Sequence, residues 1–147
     1  MIRHARISDL QQVRFLAQTN FAPYALNIAG PVEPFDMDLW DMVEKEEIAV
    51  YIVENAIRGF ICYHIDGPDV HIRALGVAPR YRRKGVGRML LDFADLEGLK
   101  RGCRRAVFHT NAQMFENLAY FRGKGFQETD RRQVDGYEQV YLERYLR

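Results

Sequence analysis

The stretch Pro79-Arg80-Tyr81-Arg82-Arg83-Lys84-Gly85-Val86-Gly87 decides how this chain is interpreted. A strand-like segment precedes it, and apolar residues recur at helical spacing from Val86 onward. The N-terminus of a helix presents unpaired N–H groups and a partial positive charge, and the two glycines leave this backbone accessible to a phosphate. Full positive charges lie on the same turn, at Arg82, Arg83, Lys84 and Arg88. The sequence therefore predicts a pyrophosphate-binding site at the start of a helix.

Two other phosphate motifs are missing from the sequence. There is no GxxxxGK(S/T), and there is no GxGxxG followed by an acidic ribose ligand. A P-loop and a dinucleotide-binding fold are therefore both disfavoured. From the turn alone, a basic helix start that uses its glycines only for packing stays open as the alternative.

Outward from the turn, hydrophobic periodicity predicts alternating strands and helices. Helices are expected from Ser8 or Asp9 to Asn20, over 36–45, from Val86 to the stop at Gly102, and around 115–119. Strands are expected over 2–5, 48–54, 57–66, 70–77, 105–110, 127–134 and 138–146, with tight turns at 55–56 and 135–136. Meander and crossover connections both occur in this order. An α/β (α+β) fold is therefore predicted, with a mixed, mainly antiparallel sheet of about seven strands and helices on both faces.

Bulk composition bounds the class of protein. A chain of 147 residues fits a single domain, 1–147. The net charge of +1 gives no support for a nucleic-acid partner. Cys62 and Cys103 form no CxxC pair, so reduced thiols and a cytoplasmic location are expected. No signal peptide is recognisable and no apolar run approaches the ~20 residues that cross a bilayer, so no membrane partner is expected.

Several motifs, in the right order, resemble the GNAT superfamily of N-acetyltransferases. The family pattern at the turn is Gln/Arg-x-x-Gly-x-Gly/Ala, and the residues from Arg82 to Gly87 match it. Residues 75–79 resemble the strand end before that turn, and 117–126 resemble the fourth helix and the Gly-Phe that follows it. The opening residues, 2–9, resemble the first strand and helix. The resemblance implies a GNAT-like acetyltransferase domain over nearly the whole chain, and it is most specific over 72–126.

The resemblance also implies acetyl-CoA as the co-substrate. The donor would enter where the fourth and fifth strands separate, with backbone groups of Leu75 and Val77 pairing with its pantetheine arm. The turn would hold the pyrophosphate through Arg82, Arg83, Lys84, Gly85, Val86, Gly87 and Arg88. Asn111 or Asn117 would contact the donor near the fourth helix. Helix capping and a local backbone bond are the respective alternatives.

Two positions that carry proton chemistry in many family members hold other residue types here. The strand position of a glutamate base is Arg73, and arginine cannot act as a base at neutral pH. The helix position of a tyrosine acid is Phe121. Tyr120, one residue earlier, is the candidate acid. One helical step turns a side chain by ~100°, so packing or a substrate contact stays open for Tyr120.

The hairpin around Gly67 offers substitute bases. With the turn centred on Gly67-Pro68, His64 faces His71 and Cys62 faces Arg73, with all four side chains on one face of the sheet. Either His71 or His64 is a candidate base, because histidine titrates near neutral pH. A polar, partly wet sheet face is the alternative, and no metal site is expected. The opposite, apolar face is expected to carry Ile61, Ile65, Ile72 and Ala74.

The acceptor is the least constrained part of the prediction. Arg73 is expected to recognise an acidic group on the substrate. By resemblance, the loop 21–35 lines the acceptor site, with Tyr24 and Phe35 as contacts, although packing explains both equally well. The prediction is an N-acetyltransferase that acts on a primary amine of a small molecule or peptide. The alternative is a catalytically weak or inactive acetyl-CoA-binding sensor or interaction module, and a homodimer through the tail 137–145 is left open.

Overall fold

A computed structural model describes residues 1–25 and 37–146 of the protein, except for the side chains of 22–25. The α-helices of these residues are α1 (Leu10–Ala25), α2 (Leu39–Glu44), α3 (Val86–Lys100) and α4 (Phe115–Gly123). The strands are β1 (Ile2–His4), β2 (Ile48–Val53), β3 (Ala56–Asp66), β4 (Asp69–Val77), β5 (Arg105–Asn111), β6 (Gln127–Val134) and β7 (Tyr137–Tyr145). Short 3-10 turns over Ile7–Asp9 and Pro79–Tyr81 precede α1 and α3.

The strands form one seven-stranded sheet in the order β1-β2-β3-β4-β5-β7-β6 across the described residues. Neighbouring strands are antiparallel except β4 and β5, which run parallel because α3 connects them as a crossover. The predicted mixed, mainly antiparallel sheet is therefore confirmed.

Two hydrophobic clusters occupy the two faces of the sheet. On one face, Val13 of α1 and Leu39 of α2 pack with Phe60 of the sheet. On the other face, Leu90 of α3 and Leu118 of α4 pack with residues of β3, β4, β5 and β7. Helices thus cover both faces, as the apolar spacing along α1 and α3 predicts. Gly102, with φ of +83°, ends α3 in the left-handed conformation expected of a C-terminal glycine.

The first two helices have boundaries that differ from the sequence prediction. Helix α1 runs to Ala25 rather than Asn20, and the rest of the predicted loop lies outside the described residues. The predicted cap at Ser8 or Asp9 is wrong, because the 3-10 turn that leads into α1 has Arg6 as its N-cap. Asp9 lies inside that turn, where its carboxylate accepts the N–H of Arg6 at 2.7 Å and pairs with Arg3. Helix α2 is shorter than 36–45, because Asp38 accepts the N–H of Asp41 and caps it there.

The turn between β2 and β3 uses Glu54 and Asn55, not 55–56. Both residues adopt positive φ angles, +52° and +64°, as a two-residue hairpin turn requires. The predicted turn at Asp135-Gly136 is confirmed, since these two residues link β6 to β7 with positive φ angles of their own.

The β3–β4 register confirms one predicted pair and corrects another. His64 lies opposite His71, as predicted. Cys62 lies opposite Ala74, not Arg73, because the register shifts beside Cys62 and leaves Arg73 as an extra residue in β4. This β-bulge shifts the alternation of side chains by one residue. Ala74 therefore packs with Cys62 in the α1 and α2 cluster, and not with Ile72 on the other face.

Candidate functional site

The parallel strands β4 and β5 separate at the bulge. Their pairing in the described residues ends at Ile72 opposite Phe108, although β4 continues to Val77 and β5 to Asn111. A bulge bends its strand and is a common feature beside active sites. The separation leaves the edge of β4 beyond Arg73 available to an extended ligand.

A small, open-mouthed cavity of about 70 Å³ lies at this separation. Its walls come from α1, β4, β5, α4 and β7, through Phe21, Arg73, Ala74, Leu75, Phe108, His109, Thr110, Asn111, Met114, Asn117, Phe121, Tyr137 and Gln139. A second groove continues over the adjoining sheet face, between Asp69 and Tyr141, and shares Arg73, Phe108, His109 and Gln139 with the cavity. The two spaces therefore form one continuous depression on the sheet.

The glycine-containing turn at the start of α3 has the backbone that the sequence predicts for an anion site. Gly85 takes a left-handed φ of +84° immediately before the helix. The N–H groups of the next three residues precede the first intrahelical bond, from Met89 N–H to the carbonyl of Gly85 at 3.0 Å. A Cβ at Gly87 would collide with the hydroxyl of Tyr120, so only glycine fits there without displacement. The N-terminus of α3 thus presents backbone N–H donors on a surface that an anion can approach.

The basic side chains of the turn have different surroundings. Arg82 donates to the carbonyl of Val77 at 3.2 Å and to Asn20 at 2.8 Å, so it ties the turn to β4 and α1. Arg83 and Lys84 are exposed, and the Lys84 ammonium lies 5.8 Å from the ring centroid of Tyr81. Arg88, also exposed, lines a separate cavity between α3 and α4.

Tyr120 and Phe121 point in different directions from α4. Phe121 lines the cavity and stacks on Phe108 with ring centroids 3.8 Å apart. Tyr120 is not among the described residues that line it, and its hydroxyl lies against Gly87. Burial, and then the charge of Asp92, raise the pKa of Tyr120 above that of an ordinary tyrosine. Tyr120, the candidate acid, therefore lies at the turn, whereas Phe121, which has no hydroxyl, lies at the cavity.

The two predicted histidine bases lie away from the cavity. His64 Nδ1 lies 2.7 Å from a carboxylate oxygen of Glu47, which is almost fully buried and also accepts the N–H of Ile65. The ring of His71 lies 6.3 Å from that of His64 and borders the second groove. His64 is therefore paired with Glu47, and His71 borders the groove but not the cavity.

His109 is the site residue that sequence reasoning missed. Its side chain is exposed on β5 and borders both the cavity and the groove. Its Nδ1 lies 2.6 Å from Nε2 of the Gln139 amide, and its ring stacks on Tyr141 with centroids 5.7 Å apart. The segment was predicted only as a buried strand. Alternation along that strand would have placed His109 on the face that Phe108 does not share.

The remaining predicted site residues divide between the cavity and the undescribed part of the chain. Asn111 and Asn117 both border the cavity. Asn111 also accepts the N–H of Gln113 at 2.8 Å, which is a local turn and not the helix cap considered as the alternative, because the N-cap of α4 is Met114. Leu75 borders the cavity from β4. The side chain of Tyr24 and the whole of Phe35 lie outside the described residues.

Neither a metal cluster nor a membrane-spanning helix is found in the part of the chain that the structure describes. No group of three or more His, Cys, Asp and Glu side chains there is placed to hold a metal ion. No helix there combines the length and the apolar character needed to traverse a bilayer.

A mixed sheet that opens between its parallel strands, beside a glycine-containing helix start, defines an acetyltransferase fold. The sequence model of the Acetyltransferase (GNAT) family matches residues 10–126, and the chain belongs to this family. The predicted resemblance is thereby confirmed, and acetyl-CoA as the co-substrate is confirmed at the level of the family. The residues fit acetyl-CoA. The edge of β4 beyond Arg73 can pair with the peptide-like pantetheine arm, and the N-terminus of α3 can bind the pyrophosphate.

Solved structures of N-acetyltransferases share the fold. The ribosomal-protein-S18-alanine N-acetyltransferase from Escherichia coli is 19% identical with a TM-score of 0.75, over 99% of this chain and 93% of that one. The PaiA N-acetyltransferase from Thermoplasma acidophilum, in complex with coenzyme A, is 18% identical with a TM-score of 0.76, over 99% and 98%. Arabidopsis thaliana Naa50 with a bisubstrate analogue is 20% identical with a TM-score of 0.72, over 98% and 97%. No curated protein matches the chain in sequence.

Proposed function

We propose that this protein transfers the acetyl group of acetyl-CoA to a primary amine of a small molecule or a peptide. The observation that carries the proposal is the cavity at the β4–β5 separation, which has His109 in its wall. Leu75, also in that wall, lies beside Gly87 of the turn at the start of α3. A donor whose pyrophosphate binds at α3 and whose arm follows β4 would present its thioester to this cavity. The acceptor would then approach from the side of α1 and β7.

His109 is the best-supported base for this reaction. The transfer needs a neutral amine, and histidine titrates in the range where it can accept the proton. His109 borders the cavity, whereas His71 borders only the adjoining groove and His64 is paired with Glu47. Arg73 cannot take this role, but it borders both spaces and is suited to an acidic group on the acceptor.

The proposed transfer is a nucleophilic substitution at the thioester carbon of acetyl-CoA. The amine nitrogen attacks the thioester carbon, and the His109 imidazole takes one proton from that nitrogen. The C–N bond forms, the C–S bond breaks, and the thiolate takes a proton, leaving an amide and a free thiol. Tyr120 at the turn is the proposed proton donor to the thiolate, with solvent as the alternative, because its raised pKa makes it a weaker acid than an ordinary tyrosine.

The test is thiol release from acetyl-CoA in the presence of a panel of amines. The panel should include peptides with free N-termini, because two structures of the same fold are named for a ribosomal-protein alanine and for a CoA-peptide analogue. Three single variants, His109→Ala, His71→Ala and His64→Ala, should be compared with the wild type. We expect His109→Ala to lose about 10²–10⁴-fold in kcat and the other two to lose far less. Equal activity of His109→Ala and the wild type would contradict the assignment of the base.

The alternative is a domain that binds acetyl-CoA without transferring its acetyl group. Phe121, at the cavity and stacked on Phe108, favours this alternative because it offers no proton to a leaving thiolate. Saturable acetyl-CoA binding without thiol release across the whole panel would support such a module and overturn the transferase proposal.

A further inference from the structure

We infer that the stacked rings of Phe108 and Phe121 restrict the donor to a short acyl chain, an inference that rests on the proposed transfer from an acyl-CoA. Phe108 lies on β5 and Phe121 on α4, and both line the cavity at the β4–β5 separation. Their ring centroids are 3.8 Å apart and their planes differ by 17°, so the rings are in van der Waals contact and leave no room for a ligand between them. The two rings therefore form one continuous aromatic wall, called the Phe pair below.

The Phe pair lies at the narrow end of the opening between the parallel strands. Ile72 opposite Phe108 is the last β4–β5 pair within the described residues, and the strands diverge beyond it. Leu75 borders the cavity from the diverging part of β4. A donor arm that follows the β4 edge from the turn at the start of α3 therefore runs back toward Arg73, and its acyl end arrives at the narrow end. The acyl group meets the Phe pair there.

Aromatic neighbours hold the ring of Phe121 in place. Phe121 is only 3% exposed, and Tyr120 and Phe126 contact its ring edge-on, with centroids 5.5 and 5.3 Å away. Phe108, on its stacked side, is 7% exposed. Protein interiors are close-packed, so a ring in such surroundings moves only if its neighbours move with it. A longer acyl chain therefore cannot push the ring aside without disturbing the packing of α4 on the sheet.

The cavity is small enough for each added methylene of an acyl chain to be felt. Its volume of about 70 Å³ is that of a few water molecules, whose share of the liquid is ~30 Å³ each. Opposite the Phe pair, its walls include Phe21 and Ala74, which belong to the cluster under α1 and α2. The narrow end is thus closed from both faces of the sheet. Extra methylenes forced into a filled apolar site are unfavourable, so a two-carbon acyl group fits better than a four-carbon one.

The polarity of the cavity wall orients an acyl group in the same way. Neither ring of the Phe pair carries a hydrogen-bonding group, so the narrow end offers only apolar contact. Polar residues of the wall lie toward the wide end, with Thr110 and Asn111 following Phe108 along β5 and Asn117 one turn before Phe121 on α4. The carbonyl of a thioester is therefore accommodated toward the wide end, and the hydrocarbon end of its acyl chain faces the Phe pair.

The test measures the Kd values of acetyl-CoA, propionyl-CoA and butyryl-CoA by isothermal titration calorimetry, without an acceptor. Phe121→Leu and Phe108→Leu each remove one ring of the Phe pair and keep an apolar side chain, and they lie on different elements. Phe126→Leu is the matched control. Phe126 is 2% exposed and contacts the ring of Phe121, but it is not among the described residues that line the cavity. Thermal unfolding of each variant shows that it is folded before its titration is interpreted.

The wild type should bind butyryl-CoA about 10–100-fold more weakly than acetyl-CoA, with propionyl-CoA between them. Phe121→Leu and Phe108→Leu should each reduce this ratio to about threefold or less, and Phe126→Leu should leave it unchanged. Equal affinities of the wild type for the three thioesters would overturn the inference, as would a control variant that relaxes the ratio as much as the Phe pair variants do.

The titrations need no turnover, so the inference and the proposed function fail separately. The expected order of affinities in a protein that releases no thiol with any amine would contradict acetyl transfer and support the restriction by the Phe pair. Thiol release with equal affinity for acetyl-CoA and butyryl-CoA would support transfer and contradict the restriction. A wild type that binds none of the three thioesters would overturn both.

Discussion

Arg73 occupies the position where the two parts of the depression meet. It is the extra residue of the β4 bulge and borders both the cavity and the groove. A bulge re-aims a side chain relative to a regular strand, and Arg73 lies in the wall of the cavity here. A guanidinium there is suited to bind a carboxylate with two parallel hydrogen bonds.

We predict that Arg73→Ala selectively weakens binding of acidic acceptors. A hydrogen-bonded charge of this kind contributes about 1.5–3 kcal/mol, so KM for an acceptor that carries a carboxylate should rise about 10–100-fold. KM for acetyl-CoA and for uncharged acceptors should stay close to that of the wild type. Steady-state kinetics on matched pairs of acceptors measures this, with Arg104→Ala, exposed immediately before β5, as the control. An unchanged KM for every accepted acceptor would contradict the prediction.

The sequence was a better guide to the glycine-containing turn than to the residues that line the cavity. The donor turn is local, because its glycines, charges and helix start are consecutive in the chain, and the structure has this backbone. His109 and Gln139 meet only through the β5–β7 pairing, 30 positions apart in sequence. The pairing of Cys62 with Arg73 was wrong because a single bulge shifts the register, and nothing in the local sequence marks that bulge.

At the scale of elements, helices α3 and α4 meet at Gly87 and Tyr120. The hydroxyl of Tyr120 occupies the space that a Cβ on Gly87 would need, and the ring lies below Lys124 at 5.3 Å. Tyr120 therefore limits the size of the side chain that fits at position 87. The Tyr120 side chain thus lies against the first turn of α3, whose backbone N–H groups are the candidate donors.

We predict that Gly87→Ala impairs donor binding and that Tyr120→Phe partly rescues it. Forcing a methyl group into this contact costs about 1–3 kcal/mol and displaces the helix start, so Kd for acetyl-CoA should rise about tenfold. Without the hydroxyl, the next atom, Cζ of residue 120, lies 3.2 Å from the new Cβ, which a small shift can accommodate. Isothermal titration with acetyl-CoA on both single variants and the double variant measures the coupling.

Gly123→Ala is the control for that cycle, because nothing lies within 4 Å of the Cβ it would add. The Tyr120→Phe single variant also bears on the proposed proton donor. A loss of about 10²-fold or more in its kcat would support Tyr120 as the acid, and near-normal turnover would leave solvent in that role. If the double variant binds the donor no better than Gly87→Ala, the steric explanation fails.

At the scale of the whole molecule, Arg144 connects elements that are distant in the chain. From β7 it pairs with Asp95 of α3 and donates to the carbonyl of Lys124 at 2.7 Å, in the turn between α4 and β6. Its guanidinium lies 4.7 Å from the ring centroid of Phe126. The side chains of the ion pair are only 15% and 16% exposed. One residue near the end of the chain therefore holds α3 and α4 against the sheet that carries the depression.

We predict that Arg144→Met destabilises the fold by about 2–3 kcal/mol near neutral pH, because it leaves the Asp95 carboxylate without its partner in a largely buried place. The pKa of Asp95 is already raised by burial, with the charge of Arg144 opposing that rise, and it should rise further in the variant. An acid whose pKa is raised on folding penalises stability above that pKa and not below its unfolded value, ~3.9. The deficit of Arg144→Met should therefore shrink as the pH falls, and Asp95→Leu combined with Arg144→Met should recover most of it. Urea unfolding at several pH values measures both effects, with Arg131→Met in the exposed β6 network as a control that should change little. A deficit that is independent of pH and persists in the double variant would mean that Arg144 acts through its packing on Phe126 and not through the buried charge.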